Sequence, residues 1–520
     1  MTKSSLILSG FMLMTVAVFS QIDRGGEPIS WNIEQQVSLS SIWNQLPGID
    51  LDALLEEDSW TSEDKSLPMR YATSIPTQFN ESNSGKWTNL HNGDRIWMLG
   101  IESTEAYSLG ITFSNFHLPE GAKLFVYSDN HTDYLGPLTH RDNRLDQTMT
   151  LPPVTGSKII IEYYEPYAYR GDGEFNIASV AHGYRNLKDP TIQNEFPCMQ
   201  ELEISPVNNN LLDASSSVLM MIVDNGQRIA TATLINNSSN DGTPYVVTAQ
   251  SAMMGLPISW VFLFDVTGTG CYNDNSICWS RAICGAQLLE TDNAHGVTLL
   301  RLRSNPDKNW TAYYSGWNIN GLDESQQVIS CIQNSFGLPQ SISEYAGSVQ
   351  AIEWKNKTVY EFPDWSFGQT FKGSIGSPVF DMDMNLIGIY VGGSGNCEEE
   401  GSEYFASIKS TWNNFEEFLN PLSIEGDRIE GIYPIIPQGN DKEEENVIFF
   451  FPNPAQEWIY IQNRSENQIT QIEIRDAQGR IVLISNPIVP TLDIKSLPEG
   501  LYVITIYQDT TSTSQKLLVR

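Results

Sequence analysis

Basic residues are scarce in this 520-residue chain: 30 Lys+Arg stand against 63 Asp+Glu, a formal net charge of −33. Such a surface repels phosphate backbones and anionic headgroups, which excludes nucleic acid and anionic membranes as partners. Cationic ligands, or plain solubility outside the cell, suit that balance better. Histidine is rarer still, 6 in all, and between residues 195 and 436 there is only His295. That stretch therefore has a single imidazole for general-base work near neutral pH. Cysteine is limited to Cys198, Cys271, Cys278, Cys284, Cys331 and Cys397. None shows the C-x-x-C spacing of a zinc site, so no metal is expected, and no cofactor either. Beyond the N-terminus no apolar run is long enough to cross a bilayer, which leaves no transmembrane segment to expect.

What is present reads in order. Residues 1–20 have the form of a secretory signal peptide: Lys3, an apolar run from Leu6 to Phe19, and Ser20 before Gln21. Export puts the cysteines in an oxidising setting and makes all of them expected disulfide partners, their pairing left open. Residues 21–85 are polar and acidic, with Trp31, Trp43 and Trp60 scattered through them. They read as a leader that wraps another part of the molecule. Residues 86–190 alternate in short apolar strands, such as Arg95–Ile101 and Lys158–Tyr164, divided by Pro/Gly/Asn turns; this is the pattern of a β-sandwich. Residues 195–436 are again strand-rich and close with Phe405, Ile408, Trp412, Phe415 and Leu419, near the helical period. An acidic linker at 437–446 leads to a last block of alternating strands, 447–520. The chain is thus expected to be all-β and multidomain.

The last block carries Phe451-Pro452-Asn453-Pro454, the hairpin Asp476-Ala477-Gln478-Gly479-Arg480, the strand Leu497-Pro498-Glu499-Gly500-Leu501-Tyr502 and the basic tail Lys516 to Arg520. In that order these resemble the type A C-terminal sorting domain of the Bacteroidota type IX secretion system. The resemblance implies an Ig-like sandwich, type IX machinery as a partner, and passage through the outer membrane. Release or attachment at the cell surface would follow.

Centrally, Thr233-Leu234-Ile235-Asn236-Asn237, Asp241 to Ala249, Tyr313-Tyr314-Ser315-Gly316-Trp317 and Gly392-Gly393-Ser394 through Cys397 resemble the secreted lysyl-endopeptidase branch of trypsin-like serine proteases. The turn Gly373-Ser374-Ile375-Gly376-Ser377-Pro378 has that family's G-x-x-G-[SG]-P form. What this implies is a double β-barrel with a C-terminal helix, a bridge between Cys198 and Cys397, and a catalytic triad. The triad places are held by Ser251, Gly296 and Ile375. Serine is no base near neutral pH, glycine cannot orient an imidazole, and isoleucine offers no nucleophile. Set at that place, Ile375 would project into the cleft and obstruct it. Ala230 and Ala252 stand where the family has a further bridged pair of cysteines.

The resemblance also gives Glu403 the place of the acid that receives the substrate's lysine, with Gly392 and Gly393 as a free strand edge for an extended peptide and Gly373 as an N–H donor. The plainer account of Glu403 is that it ends the solvated acidic run beginning at Glu398. Two function classes emerge. One is an exported, catalytically inactive homologue that binds a polypeptide, basic ones included, or a protein. The other is an active secreted endopeptidase cleaving at Lys or Arg from a relocated site, using His295 with Ser374 or Ser377. His295 adjoins the place of Gly296, so on a strand its side chain would point the other way.

Overall fold

The computed structural model describes residues 26–32, 42–60, 64–187, 195–202, 209–266, 281–307, 310, 312–325, 327–434, 448–451, 455, 458–463, 469–476, 478–485, 491–508 and 512–519. The signal-peptide reading, the linker, Cys271 and Cys278 lie outside them.

The N-terminal sandwich is made of two sheets. One has the order Trp43–Gln45, Arg95–Glu102, Lys158–Glu165, Lys123–Ser128 and Tyr134–Leu138, with Lys86–Asn89 added on Arg95–Glu102. The other runs Val154–Thr155, Ser108–His117, Glu174–Gly183 and Ala72–Asn80, with Met149–Thr150 beside Ser108–His117. Alternation explains how they pack: Leu99, Ile101, Leu124, Val126, Ile159 and Ile161 point into the main core. Ile96, Met98, Phe125, Tyr127 and Ile160 point the other way. That outer face is covered by Ile29, Trp31, Ile42 and Trp43 from the polar N-terminal stretch. This stretch also supplies the whole strand Ala72–Asn80.

The main sandwich core continues without a break into Met220, Ile222, Ile229, Val261, Leu263 and Cys284 of the next block. A buried Arg144 reinforces the junction, donating to the Cys284 carbonyl at 2.7 Å and the Ile258 carbonyl at 3.2 Å. The central block contains two further sheets. The first has the order Ala282–Cys284, Val261–Leu263, Val218–Val223, Arg228–Ile235, Tyr245–Ala249, Val297–Leu302 and Ala286–Asp292. Met69–Arg70, from the leader, pairs with its Arg228–Ile235 strand. In the second, Gln327–Gln333, Pro378–Phe380, Leu386–Gly393, Glu403–Ser407 and Lys357–Phe362 follow one another. The closing helix is Ile408–Leu419, capped by the Ser407 hydroxyl on the Lys409 N–H at 3.2 Å. It buries Ile408, Thr411, Phe415 and Leu419, while Phe405 belongs to the strand before it.

Cys198 and Cys397 are bridged, with Cα atoms 5.4 Å apart. The expectation that every cysteine is a disulfide partner fails at Cys284 and Cys331, which are buried free thiols. Packing inside separate core clusters keeps them apart. Ala230 and Ala252 are fully buried together in the core of the central block, where methyl groups fill the space without a crosslink. In the C-terminal block, sheets of three and four strands enclose a small core including Ile459, Ile472, Ile504 and Leu517. Its hairpin closes on Asp476, whose Oδ1 accepts the Arg480 N–H at 3.0 Å, with Gly479 at φ +80°.

Candidate functional site

The turn at Gly373–Pro378 is pinned against the first central sheet. The Thr231 N–H donates to the Ile375 carbonyl at 2.9 Å, and the Thr231 hydroxyl to the Gly373 carbonyl at 2.9 Å. Gly373 and Gly376 have φ of +96° and +87°. A Cβ on Gly376 would lie 2.2 Å from the Thr231 carbonyl oxygen, so only glycine fits the approach. Ile375 does not project into a cleft. It is 0% exposed and packs in the core containing Ala230, Ala249 and Ala252. Its sec-butyl side chain gains more from that core than from solvent.

The other two places are reached through Ala249, whose N atom would lie 3.2 Å from a Cβ on Gly376. Gln250 N–H donates to the Gly296 carbonyl at 2.7 Å, which joins the short turn Gln250–Ala252, bearing a half-buried Ser251, to the Gly296 turn. Gly296 sits at φ +79°. A Cβ there would meet Lys357 Cδ at 2.7 Å, because the Lys357 ammonium reaches over the turn to Gln250 Oε1 and the Asn293 carbonyl. The structure thus brings Ser251, Gly296 and Ile375 into one neighbourhood.

A relocated Ser–His pair is not assembled. His295 Nδ1 is 2.9 Å from Asp292 Oδ2. Ser374 Oγ lies 2.9 Å from Ser335 Oγ, and Ser377 donates to the Ser374 carbonyl at 2.6 Å. Both serines are fully buried.

Glu403 is not part of the solvated run. Glu398, Glu399 and Glu400 are exposed, whereas Glu403 is 0% exposed. Its Oε1 accepts from Lys65 Nζ at 2.7 Å, a lysine from the leader. Oε2 accepts from the Tyr390 hydroxyl at 2.5 Å and the Thr370 hydroxyl at 3.0 Å. The same ammonium also reaches Gln369 Oε1 at 3.2 Å and Thr370 Oγ1 at 3.3 Å, so three acceptors surround it. The side chain of Lys65 is only 6% exposed. Burial pushes the Glu403 carboxyl above its usual range and the Lys65 ammonium below its own. Their mutual attraction opposes both shifts.

Gly393 makes room for this carboxylate: a Cβ there would lie 2.0 Å from Glu403 Oε2. The expected strand edge at Gly392 and Gly393 has a partner on one side and the leader beside it. Gly392 and Gly393 are registered against Tyr404 and Glu403, and Ser66 packs on Gly392, where a Cβ would come within 2.8 Å of Ser66 Cβ. Reasoning from sequence found Glu403 and missed Lys65, Gln369, Thr370 and Tyr390. The available signal was charge: residues 21–85 hold only Arg24, Lys65 and Arg70 as cations.

Residues 194–406 match the family described as lysyl endopeptidase, C-terminal domain. The central block is thus similar to the C-terminal domain of lysyl endopeptidases. Residues 449–520 match the secretion system C-terminal sorting domain, which marks the chain for export and for release or attachment at the cell surface. Among the described residues no helix is long and apolar enough to cross a membrane. Solved structures similar to the chain include the MamO protease domain from Magnetospirillum magneticum, at 11% identity and TM-score 0.28, covering 39% of this chain and 96% of that one. Another is the HtrA-type protease AlgW with tripeptide, at 13% identity and TM-score 0.30, covering 61% of this chain and 96% of that one. The central block combines a buried acid seated on a lysine with an apolar, closed turn at Ile375.

Proposed function

We propose that this exported chain acts by binding rather than by hydrolysis, and that its lysyl endopeptidase domain recognises a lysine side chain of a polypeptide. The observation that carries this is the Lys65–Glu403 contact at 2.7 Å inside a fully buried set of acceptors. An ammonium has donors to match Glu403, Gln369 and Thr370, while a planar guanidinium needs an in-plane fork of acceptors. The absence of hydrolysis is supported by Ile375, Gly296 and Ser251 at the triad places: no group there can take a proton from a nucleophile and none can attack a carbonyl.

Binding is tested with a fluorescein-labelled hexapeptide holding one central lysine and its norleucine twin, titrated by anisotropy against the full mature chain carrying Lys65→Ala. The lysine peptide is expected to bind and the norleucine peptide not, with Glu403→Gln removing the difference. Equal binding of the two peptides would overturn the reading.

Export supplies a separate expectation. Deleting residues 447–520 should trap the protein inside the outer membrane, as followed by cell fractionation and immunoblotting. Unchanged surface or medium levels of the truncated chain would contradict it.

A further inference from the structure

Lys65 belongs to the same chain as the pocket it fills, across 338 residues of sequence. The residues around it are held in two ways. Downstream, the backbone is tied into the first central sheet. Met69–Arg70 pairs with Ile229 and Arg228, the Tyr71 N–H donates to the Gln227 carbonyl at 3.0 Å, and Arg228 reaches the Pro68 carbonyl at 3.3 Å. Around Lys65 itself the hold is made by side chains at the rim. Asp64 Oδ1 accepts the Ser66 N–H at 2.9 Å, and Lys355 Nζ bonds Asp64 Oδ2 at 2.9 Å and Ser66 Oγ at 2.6 Å. Lys355 in turn lies over the Trp354 ring, 4.7 Å from its centroid, and Trp354 stacks on Tyr404, the neighbour of Glu403. The Lys355 and Asp64 side chains are 49% and 36% exposed, so this ion pair is weak and screened by salt.

We infer that Lys65 is a resident, intramolecular ligand, and that residues 64–71 form a strap which shuts the lysine pocket until its Asp64 end lifts. This rests on Glu403 being a lysine receptor. The physics is that of competition. A tethered lysine faces the pocket at an effective concentration on the order of millimolar. A peptide from outside finds the site open only in the fraction of molecules whose strap has lifted, and its apparent affinity falls by that fraction. The strap need not be cut. It hinges on the Met69–Arg70 pairing, and the exposed Asp64–Lys355 contact is the part that gives way. Lys65 also lines an open groove with Phe371, Ser394 and Gly395, which gives an incoming lysine its route.

The test uses the same lysine and norleucine hexapeptides with four full mature chains: unaltered, Lys65→Ala, Asp64→Asn, and Lys65→Ala with Glu403→Gln. The Lys65→Ala chain is expected to bind the lysine peptide at least about tenfold more tightly than the unaltered chain. Asp64→Asn should fall between them, and the double variant should lose the preference for lysine. Equal affinity in the unaltered and Lys65→Ala chains would overturn the strap while leaving Glu403 as a lysine receptor. No binding to either, with both folded by near-ultraviolet circular dichroism, would overturn the receptor and the strap together. If Lys65→Ala fails to fold, Asp64→Asn and Lys355→Gln decide, since they touch only the rim. Affinity unchanged from that of the unaltered chain in both would then overturn the strap.

Discussion

Replacing Lys65 by methionine in the full chain is expected to destabilise the central block by about 3–5 kcal/mol, because it strands a buried carboxylate. The methionine keeps the apolar stem and removes the ammonium, so packing changes little. What is left is Glu403, fully buried, with Tyr390 and Thr370 as its remaining donors. Glu403→Gln alone should cost a comparable amount by stranding the ammonium of Lys65. Combining the two should cost much less than their sum, since neither charge is then buried without its partner, and a glutamine can still accept from Tyr390. Urea unfolding followed by tryptophan fluorescence measures all three. Single changes below about 1 kcal/mol would mean that the pair behaves as a solvated surface contact. Adding the lysine hexapeptide to Lys65→Ala, which empties the pocket, should recover part of the loss there, because a ligand that binds only the folded state stabilises it.

Building a triad at the three places that the resemblance assigns should not produce turnover. With Ile375→Ser, Ser251→His and Gly296→Asp combined, hydrolysis of a lysyl aminomethylcoumarin amide is expected to stay at background, for three physical reasons. Gly296 lies at φ +79°, where an aspartate is strained, and its Cβ would press on Lys357 at 2.7 Å. The new carboxylate would pair with that ammonium instead of holding an imidazole. Ile375 is buried at 0% exposure, so a serine there faces the core, and deleting so much apolar surface costs roughly 2–5 kcal/mol. Lys65 would still fill the pocket that must seat the substrate. Turnover that rises above background in the triple variant would show that the turn at Gly373–Pro378 is freer than its hydrogen bonds imply.

The strands are readable from sequence because short apolar runs between turn residues are a local signal: Arg95–Glu102 and Lys158–Glu165 stand where those runs place them. The helix was legible too, although its period was read from Phe405, three residues before Ile408, because a strand residue happened to fall in phase. The Cys198–Cys397 bridge followed from resemblance, not from spacing. Composition misled at Cys284 and Cys331, since an oxidising compartment permits disulfides but burial in separate clusters prevents these two from meeting. Glu403 could be singled out by the motif around it, yet whether it was solvated or buried was undecidable locally. That depended on Gly393 beneath it and on Lys65 from a distant segment. A pairing across 338 residues leaves no periodic mark in either stretch. The same holds for Met69–Arg70, whose pairing with Arg228 and Ile229 turns a polar leader into part of the sheet.

The most direct measurement is prolonged incubation of the purified mature chain with the lysine hexapeptide, followed by mass spectrometry. The account predicts an intact peptide, both with the unaltered protein and with Lys65→Ala, whose pocket is open. Cleavage after the lysine that persists through repurification and disappears in His295→Ala would contradict it, and would place a working base beside Asp292.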